Sequence, residues 1–385
     1  MNNNLRWRKV EQVIANYTEE ISSPELAAKP LVSIWLLTFN HAGYIQQALD
    51  SIIMQKTDFS YEIVIGDDAS TDGTSEILDQ YHSDYPDRIR VIRSTENLWS
   101  KGKLCGINLY RACRGKYIAM IEGDDYWTDQ NKLQNQVDYL EAHHETTGCF
   151  TDCIIVGDAG DEIDLNPFYL KSYDSSYDQA SCLTSLKSSY GTATLMFQSS
   201  VIKKKIPDYF LKAPSDFLLD LMITEYGSLD YLPIESAAYR IHLAGNWQGT
   251  KASDNALSML NRMCLLYLDG SFRHRHQEAL HSSLDQWSLI YSNAARAEHP
   301  SLYQAISKYL SATSVIRPIK NSPPIYHGLT KLFGERWHDS EAPSNTASER
   351  LMAVCKLYWR FPEARSLCLA KLVEYAAASV KRRLQ

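Results

Sequence analysis

"YIAMIEGDDYW", Tyr117 to Trp127, decides how this chain folds. Its first five residues are apolar, as expected of a strand covered on both faces. The next four are Glu122-Gly123-Asp124-Asp125. Carboxylates this close repel one another, so a fold keeps them only beside a positive charge or under solvent. Side chains alternate along extended chain, which puts Glu122 and Asp124 on the same side. Two readings follow: hard oxygen donors for Mg²⁺ or Mn²⁺ carrying a substrate diphosphate, or a solvated acidic turn before the next helix.

The pattern recurs upstream. "LVSIWLL" (31–37) is a continuous apolar run that leads into Thr38-Phe39-Asn40, and "YEIVIGDDAS" (61–70) ends in Asp67-Asp68. "IRVIRS" (89–94) is a further strand, and the segments 42–55, 71–85 and 106–114 between them read as helices. Strands alternating with helices at this spacing imply right-handed crossovers on a mostly parallel sheet. Ligands of such sheets bind at the carboxyl ends of the strands. The three polar strand ends are therefore expected to meet in one crevice, with Ser70 and Asp72 capping the helix that follows.

Composition narrows the function. The chain has 385 residues and a net charge of −7, which disfavours binding to nucleic acid, whose phosphates demand a basic face. No apolar run reaches the roughly 18 residues of a membrane span, and "MNNNLRWRKVEQVI" lacks a signal-peptide core. A cytoplasmic protein is expected. Cys149 and Cys153, without a second pair, read as buried strand residues and not as half a zinc site. Residues 1–29 read as a helix (Leu5 to Tyr17) and a linker, and 159–189 as a polar loop. The segment 191–202 reads as a strand, 214–227 as a helix, 228–242 as extended chain, and 251–385 as helical.

"VSIWLLTFNHAGYIQQALDSIIMQ", "YEIVIGDDASTDGTSEIL" and "GKYIAMIEGDDYW", in that order, resemble the nucleotide-binding half of family 2 glycosyltransferases. This is an inverting, nucleotide-sugar-dependent group with the GT-A fold. The likeness covers about residues 31–245 and is tightest over 31–127. It implies an α/β GT-A domain over 30–250, with a nucleotide-binding half (30–128), an acceptor half (129–250) and a C-terminal helical extension. Thr38, Asn40 and Asp68 then fall where the family holds the donor's base and ribose, with Asp67 supporting the turn. A carboxylate at Asp68 suits the imide hydrogen of uracil, which favours a UDP-sugar. Lys103 is a candidate for the phosphates. Asp124 aligns with the metal position, Asp125 is its neighbour, and Glu122 stands where the family usually has aspartate.

Further roles follow from the likeness. Inverting transfer needs a base for the acceptor hydroxyl. Asp216, at the start of "DFLLDLMI", matches the family's base, with Asp220 one turn on as competitor and helix capping as the structural alternative. "YRIHLAGNWQG" matches a later segment in which His242 is a metal or diphosphate candidate and Trp247 a loop residue closing over the sugar. Trp127 is a second candidate near the acceptor. The expected acceptor is a glycan or lipid-linked sugar, as in bacterial surface polysaccharide synthesis. The basic end Lys381-Arg382-Arg383 is a candidate for contact with the inner membrane face, beside packing of a helical subdomain or a homodimer. Two other readings remain open. A sugar nucleotidyltransferase would want a basic, glycine-rich loop where this chain has "TFNHAGYI"; a non-catalytic nucleotide-sugar or glycan-binding module would explain Glu122.

Overall fold

The computed structural model describes residues 18–26, 28–101, 105–163, 175–184, 190–203, 206–242 and, with short breaks, 252–290. The expected helix over Leu5–Tyr17, Lys103, Trp247 and the basic C-terminal end lie outside the described residues.

Residues up to 245 form one unit. Its centre is the parallel set β2 (Val32–Thr38), β3 (Tyr61–Asp67), β4 (Ile89–Ser94) and β5 (Tyr117–Glu122), in the spatial order β4-β3-β2-β5. Three helices connect them: α1 (Ile45–Ile53), α2 (Thr74–Asp84) and α3 (Cys105–Ala112). Ile34, Leu36, Ile63, Ile65, Ala119 and Ile121 are fully buried and pack with Leu49 and Ile52 of α1 and Leu78 of α2. That burial is why the strands read as unbroken apolar runs. A buried carboxylate ties the end of the sheet opposite the acidic strand ends. Glu62 accepts from Ser33 Oγ (2.6 Å) and from Arg114 N and Nε (2.9 and 2.8 Å).

The sheet continues past β5. After β6 (Tyr126–Trp127) comes α4 (Lys132–Ala142), then β7 (Thr146–Val156), β8 (Ser176–Tyr177), β9 (Met196–Gln198) and β10 (Ser228–Arg240). β9 runs antiparallel between β5 and β7, and β10 lies beside β7 and pairs with β6 and β8. α5 (Asp216–Ile223) precedes β10. Cys149 and Cys153 are free thiols on β7; Cys149 is buried as expected, and Cys153 is partly exposed.

Two expectations are corrected. Thr18–Ile21, read as part of the linker, is β1, an edge strand antiparallel to β4. Its four residues, Thr-Glu-Glu-Ile, carry no apolar run to announce a strand; pairing with β4 supplies the order. The polar stretch 159–189 holds β8 and a short helix, Gln179–Thr184, whose Cys182 and Leu183 are buried.

The β3–α2 turn stores strain. Ala69 has φ +64°, a left-handed backbone that costs a residue with a Cβ about 1–2 kcal/mol. Ala69→Gly should therefore raise stability, by up to about 1 kcal/mol after glycine's own entropy cost, measured by urea denaturation.

The second unit, from residue 246, contains the helices Ala252–Leu268 and Gly270–Arg275. Met259, Met263, Leu266 and Phe272 are buried there, and Asp269 Oδ1 caps the second helix by accepting from Phe272 N at 2.9 Å. Among the described residues, no helix is long and apolar enough to cross a membrane.

Candidate active site

β3, β2 and β5 are adjacent, so Asp67-Asp68, Thr38-Asn40 and Glu122-Asp125 share one end of the sheet. Asp68 N donates to Thr38 O (3.0 Å) and Gly123 N to Leu37 O (2.9 Å), which locks the three strand ends together. Asn40 takes a left-handed φ of 56°, tolerable for asparagine. Its Oδ1 accepts from Thr71 N (2.8 Å) and its own N–H donates to Ser70 Oγ (2.9 Å). Asp72 accepts from Thr74 N (3.1 Å) and Ala42 N (3.0 Å), so it ties the start of α2, whose N-cap is Gly73, to the loop after β2. Asp67 supports the turn as expected, accepting from Ser70 N (3.0 Å) and from Ser75 Oγ.

Asp68 immediately follows the last residue of β3. It is 2% exposed, and its two oxygens accept from Leu98 N (2.8 Å) and Trp99 N (3.0 Å). This carboxylate holds the 98–99 turn.

The surroundings treat the three carboxyls of the acidic cluster differently. Ligand oxygens of Glu122, Asp124 and Asp125 all lie within 4.8 Å of one another. Burial, with Asp124 next to it, pushes Glu122 well above the usual carboxylate range; burial and Asp124 do the same to Asp125. Burial also pushes Asp124 up, but the hydrogen bond from His242 and the nearby His41 outweigh it and hold Asp124 below its ordinary value. His242 Nε2 is 3.0 Å from Asp124 Oδ2, and that bond raises the imidazole's own pKa. His41 Nε2 is 3.8 Å from the same oxygen.

Arg240 builds this arrangement. In the antiparallel pairing of β6 and β10, Ala238 sits opposite Tyr126, so the register carries Arg240 to Asp124. Arg240 N donates to Asp125 Oδ1 (2.9 Å) and Nε to Asp124 O (2.9 Å). The rest of the guanidinium reaches Gly157 O (3.0 Å), Asp158 O (2.9 Å) and Gln47 Oε1 (2.7 Å), with its carbon 4.9 Å from the centre of the Tyr44 ring. His242, two residues on, is thereby set against Asp124. Neither Arg240 nor His41 was singled out from sequence: "YRIH" drew attention to its histidine, and the β6–β10 register that places the arginine is invisible in one dimension.

The cluster fits a divalent cation. Thr38 Oγ1 and His41 Nδ1 are buried without a hydrogen-bond partner among the described residues. A Cβ added at Gly123 would come within 2.6 Å and 2.9 Å of those same two atoms, so only glycine lets the strand ends close up here. An ionised carboxylate beside an imidazole and further carboxyl oxygens suits Mn²⁺, and the oxygens suit Mg²⁺.

In the second half, Asp216 is the first residue of α5, and the cap is its neighbour: Ser215 Oγ accepts from Leu218 N (3.3 Å). Asp216 is exposed, with Thr192 Oγ1 donating to its Oδ2 at 3.1 Å. It is near enough to help raise the pKa of Glu122. The competitor Asp220 is buried, bound by Tyr190 OH, and pushed up by burial. Trp127 is corrected outright. It is 1% exposed, its Nε1 donates to Ala193 O (2.8 Å), and Lys132 Nζ lies 4.7 Å over its ring. It is a core residue with no face for a substrate.

The model of "Glycosyl transferase family 2" matches residues 33–203. The uncharacterized protein Rv1520 of Mycobacterium tuberculosis is 31% identical over 273 residues, covering 67% of this chain and 74% of that protein. The chain belongs to glycosyltransferase family 2. It is accordingly a glycosyltransferase with a GT-A-like α/β fold. Chondroitin synthase of Escherichia coli is 38% identical over 109 residues, covering 28% of this glycosyltransferase and 15% of the synthase. TarS residues 1–349 of S. aureus, solved with UDP-GlcNAc, share the fold with a TM-score of 0.51 at 16% identity, covering 91% of each chain.

Proposed function

We propose that this glycosyltransferase is metal-dependent and inverting, moving a sugar from a nucleoside-diphosphate donor, with UDP the leading candidate, to a glycan or lipid-linked acceptor. The single observation that carries this is the pairing of Asp124, held ionised, with His242 at 3.0 Å, at the strand ends that also present Thr38 and Asn40. The likeness to chondroitin synthase favours a role in polysaccharide synthesis. Bacterial surface polysaccharide, made at the inner face of the membrane in the cytoplasm, is the setting we favour.

Asp124 and His242 would hold Mn²⁺ or Mg²⁺, with Glu122 and Asp125 supplying further carboxyl oxygens around it. Such an ion, when bound, offsets the charge that grows on a departing diphosphate. Thr38, Asn40, Asp68 and Lys103 are the proposed contacts to the nucleotide, and Trp247 to the sugar. Asp125, through Arg240, fixes the turn that carries Asp124. Asp216 acts as base: Thr192 engages one carboxylate oxygen, which orients the other towards the acceptor hydroxyl. Attack on the anomeric carbon from the face opposite the diphosphate inverts its configuration in one displacement.

The test is release of nucleoside diphosphate from UDP-, dTDP- and GDP-sugars, with water or a glycan as acceptor. Release that requires Mn²⁺ or Mg²⁺ and stops in EDTA is expected. Release that EDTA leaves unchanged would refute the metal-dependent reading, and no release from any donor would support a binding module.

A further inference from the structure

We propose that Trp127, Lys132 and Gln136 form a buried positioning network that sets Asp216 through the short helical turn Thr192–Thr194, an assignment that rests on the reading of Asp216 as the base. α4 buries the face that carries Lys132, Leu133, Gln136, Val137 and Leu140. An amphipathic helix ordinarily fills such a stripe with apolar residues. Here two of the positions hold a lysine and a glutamine, both fully buried. Polar groups enclosed this deeply are costly unless each finds a partner. Their partners lie along one path.

Lys132 and Gln136 are one turn apart on α4, the spacing at which helical side chains meet. Lys132 Nζ donates to Gln136 Oε1 at 2.5 Å. With Oε1 taken, the amide presents Nε2 to the turn and donates to Thr194 O at 2.8 Å. Trp127, whose ring lies under Lys132 Nζ, donates from Nε1 to Ala193 O, also at 2.8 Å. Two consecutive carbonyls of the turn are thus gripped by this network. The turn also closes on itself: Thr194 N and Oγ1 donate to Gly191 O at 2.9 and 2.8 Å.

The same segment holds α5. Thr192 Oγ1 donates to Asp216 Oδ2 at 3.1 Å, and Tyr190 OH donates to Asp220, one turn further along the helix. Tyr190 is itself fixed by stacking on Phe150, with ring centres 4.3 Å apart. Residues 190–194 therefore join the core that follows the acidic turn to the helix that carries Asp216. A misplacement of about 1 Å, set up far from the chemistry, can cost about 10²-fold in rate. Asp216 is exposed, so its own surroundings do not enclose it, and the network behind Thr192 supplies the precision. Apolar residues at positions 132 and 136 would fill the same stripe without the polar cost, but could not grip the turn.

The test is steady-state release of nucleoside diphosphate from UDP-, dTDP- and GDP-sugars in Mn²⁺, with the full-length chain and its melting temperature measured alongside. The variants are Gln136→Met, Lys132→Met, Thr192→Val, Asp216→Asn and the double variant Gln136→Met/Asp216→Asn. Gln136→Met should lower kcat roughly 10- to 100-fold and leave the donor KM within about twofold. Lys132→Met and Thr192→Val should lower kcat in the same way, Lys132→Met even though it stabilises the fold at neutral pH. In the Asp216→Asn background, Gln136→Met should cost no further turnover, because residues that act through one group are not additive. Thr192→Val changes only the last link and carries the same comparison if Gln136→Met does not fold. An equal loss from Gln136→Met in both backgrounds would sink the network while the base reading stands. So would wild-type turnover in any folded variant of positions 132, 136 or 192. If Asp216→Asn itself turns over like the wild type, or the wild type releases nothing, the base reading and the network fall together.

Discussion

Asp216→Asn should lower donor turnover, to water or to a glycan, by about 10²–10⁴-fold, the usual contribution of a positioned general base. Its donor dissociation constant should stay within about twofold, since a base for the acceptor does not hold the nucleotide. The substitution is conservative locally: an amide oxygen still accepts from Thr192 Oγ1, and the helix cap belongs to Ser215. Asp220→Asn separates the roles. Asp220 is buried against Tyr190, so its change should act on the melting temperature more than on turnover per folded molecule. Equal loss of donor affinity and turnover in Asp216→Asn would move that residue from catalysis to donor binding.

Lys132→Met should stabilise the protein at neutral pH, although it removes a hydrogen bond. Lys132 is fully buried at the start of α4, and burial pushes its pKa down to about 7, with Cys149 and Asp129 opposing the shift. A lysine whose folded pKa lies below its unfolded value binds fewer protons when folded. Stability therefore rises with pH between about 7 and 10.5 and is lowest below pH 7, where the charge is buried. The full penalty is at most about 5 kcal/mol, at 1.36 kcal/mol per pKa unit. Methionine removes it but leaves Gln136 Oε1, now 2.5 Å from Lys132 Nζ, unpaired at a cost of about 1–3 kcal/mol. The net gain expected is about 2–4 kcal/mol at pH 7, read from urea unfolding of both proteins at pH 7 and pH 9.5. The gain should shrink at the higher pH; a gain equal at both pH values would place the effect in packing.

The parts that sequence made legible were those whose physics is local. A strand buried on both faces must be apolar, and three of them ending in polar residues announce a shared crevice before any coordinates exist. Asp67's support of its turn followed from the family resemblance, and Ser70 and Ser75, its partners, lie within eight residues of it. What stayed hidden depends on distant neighbours. β1 is a strand only because β4 runs beside it. Trp127 follows the acidic turn and looks like a site residue, yet α4 and Ala193 close over it. Lys132 has nothing in its local sequence to mark it as buried. Arg240 and His41 reach Asp124 across 116 and 83 residues of chain, through pairings that no spacing encodes.

That Asp124, beside His242, is the carboxylate that holds the metal is the central claim, and calorimetric titration of Mn²⁺ with a UDP-sugar tests it most directly. Wild type should bind the two cooperatively, each tightening the other by the same factor. Asp124→Ala should lose that coupling, whereas Asp125→Asn should retain part of it. Coupling undiminished in Asp124→Ala would contradict the account, because the metal would then be held elsewhere.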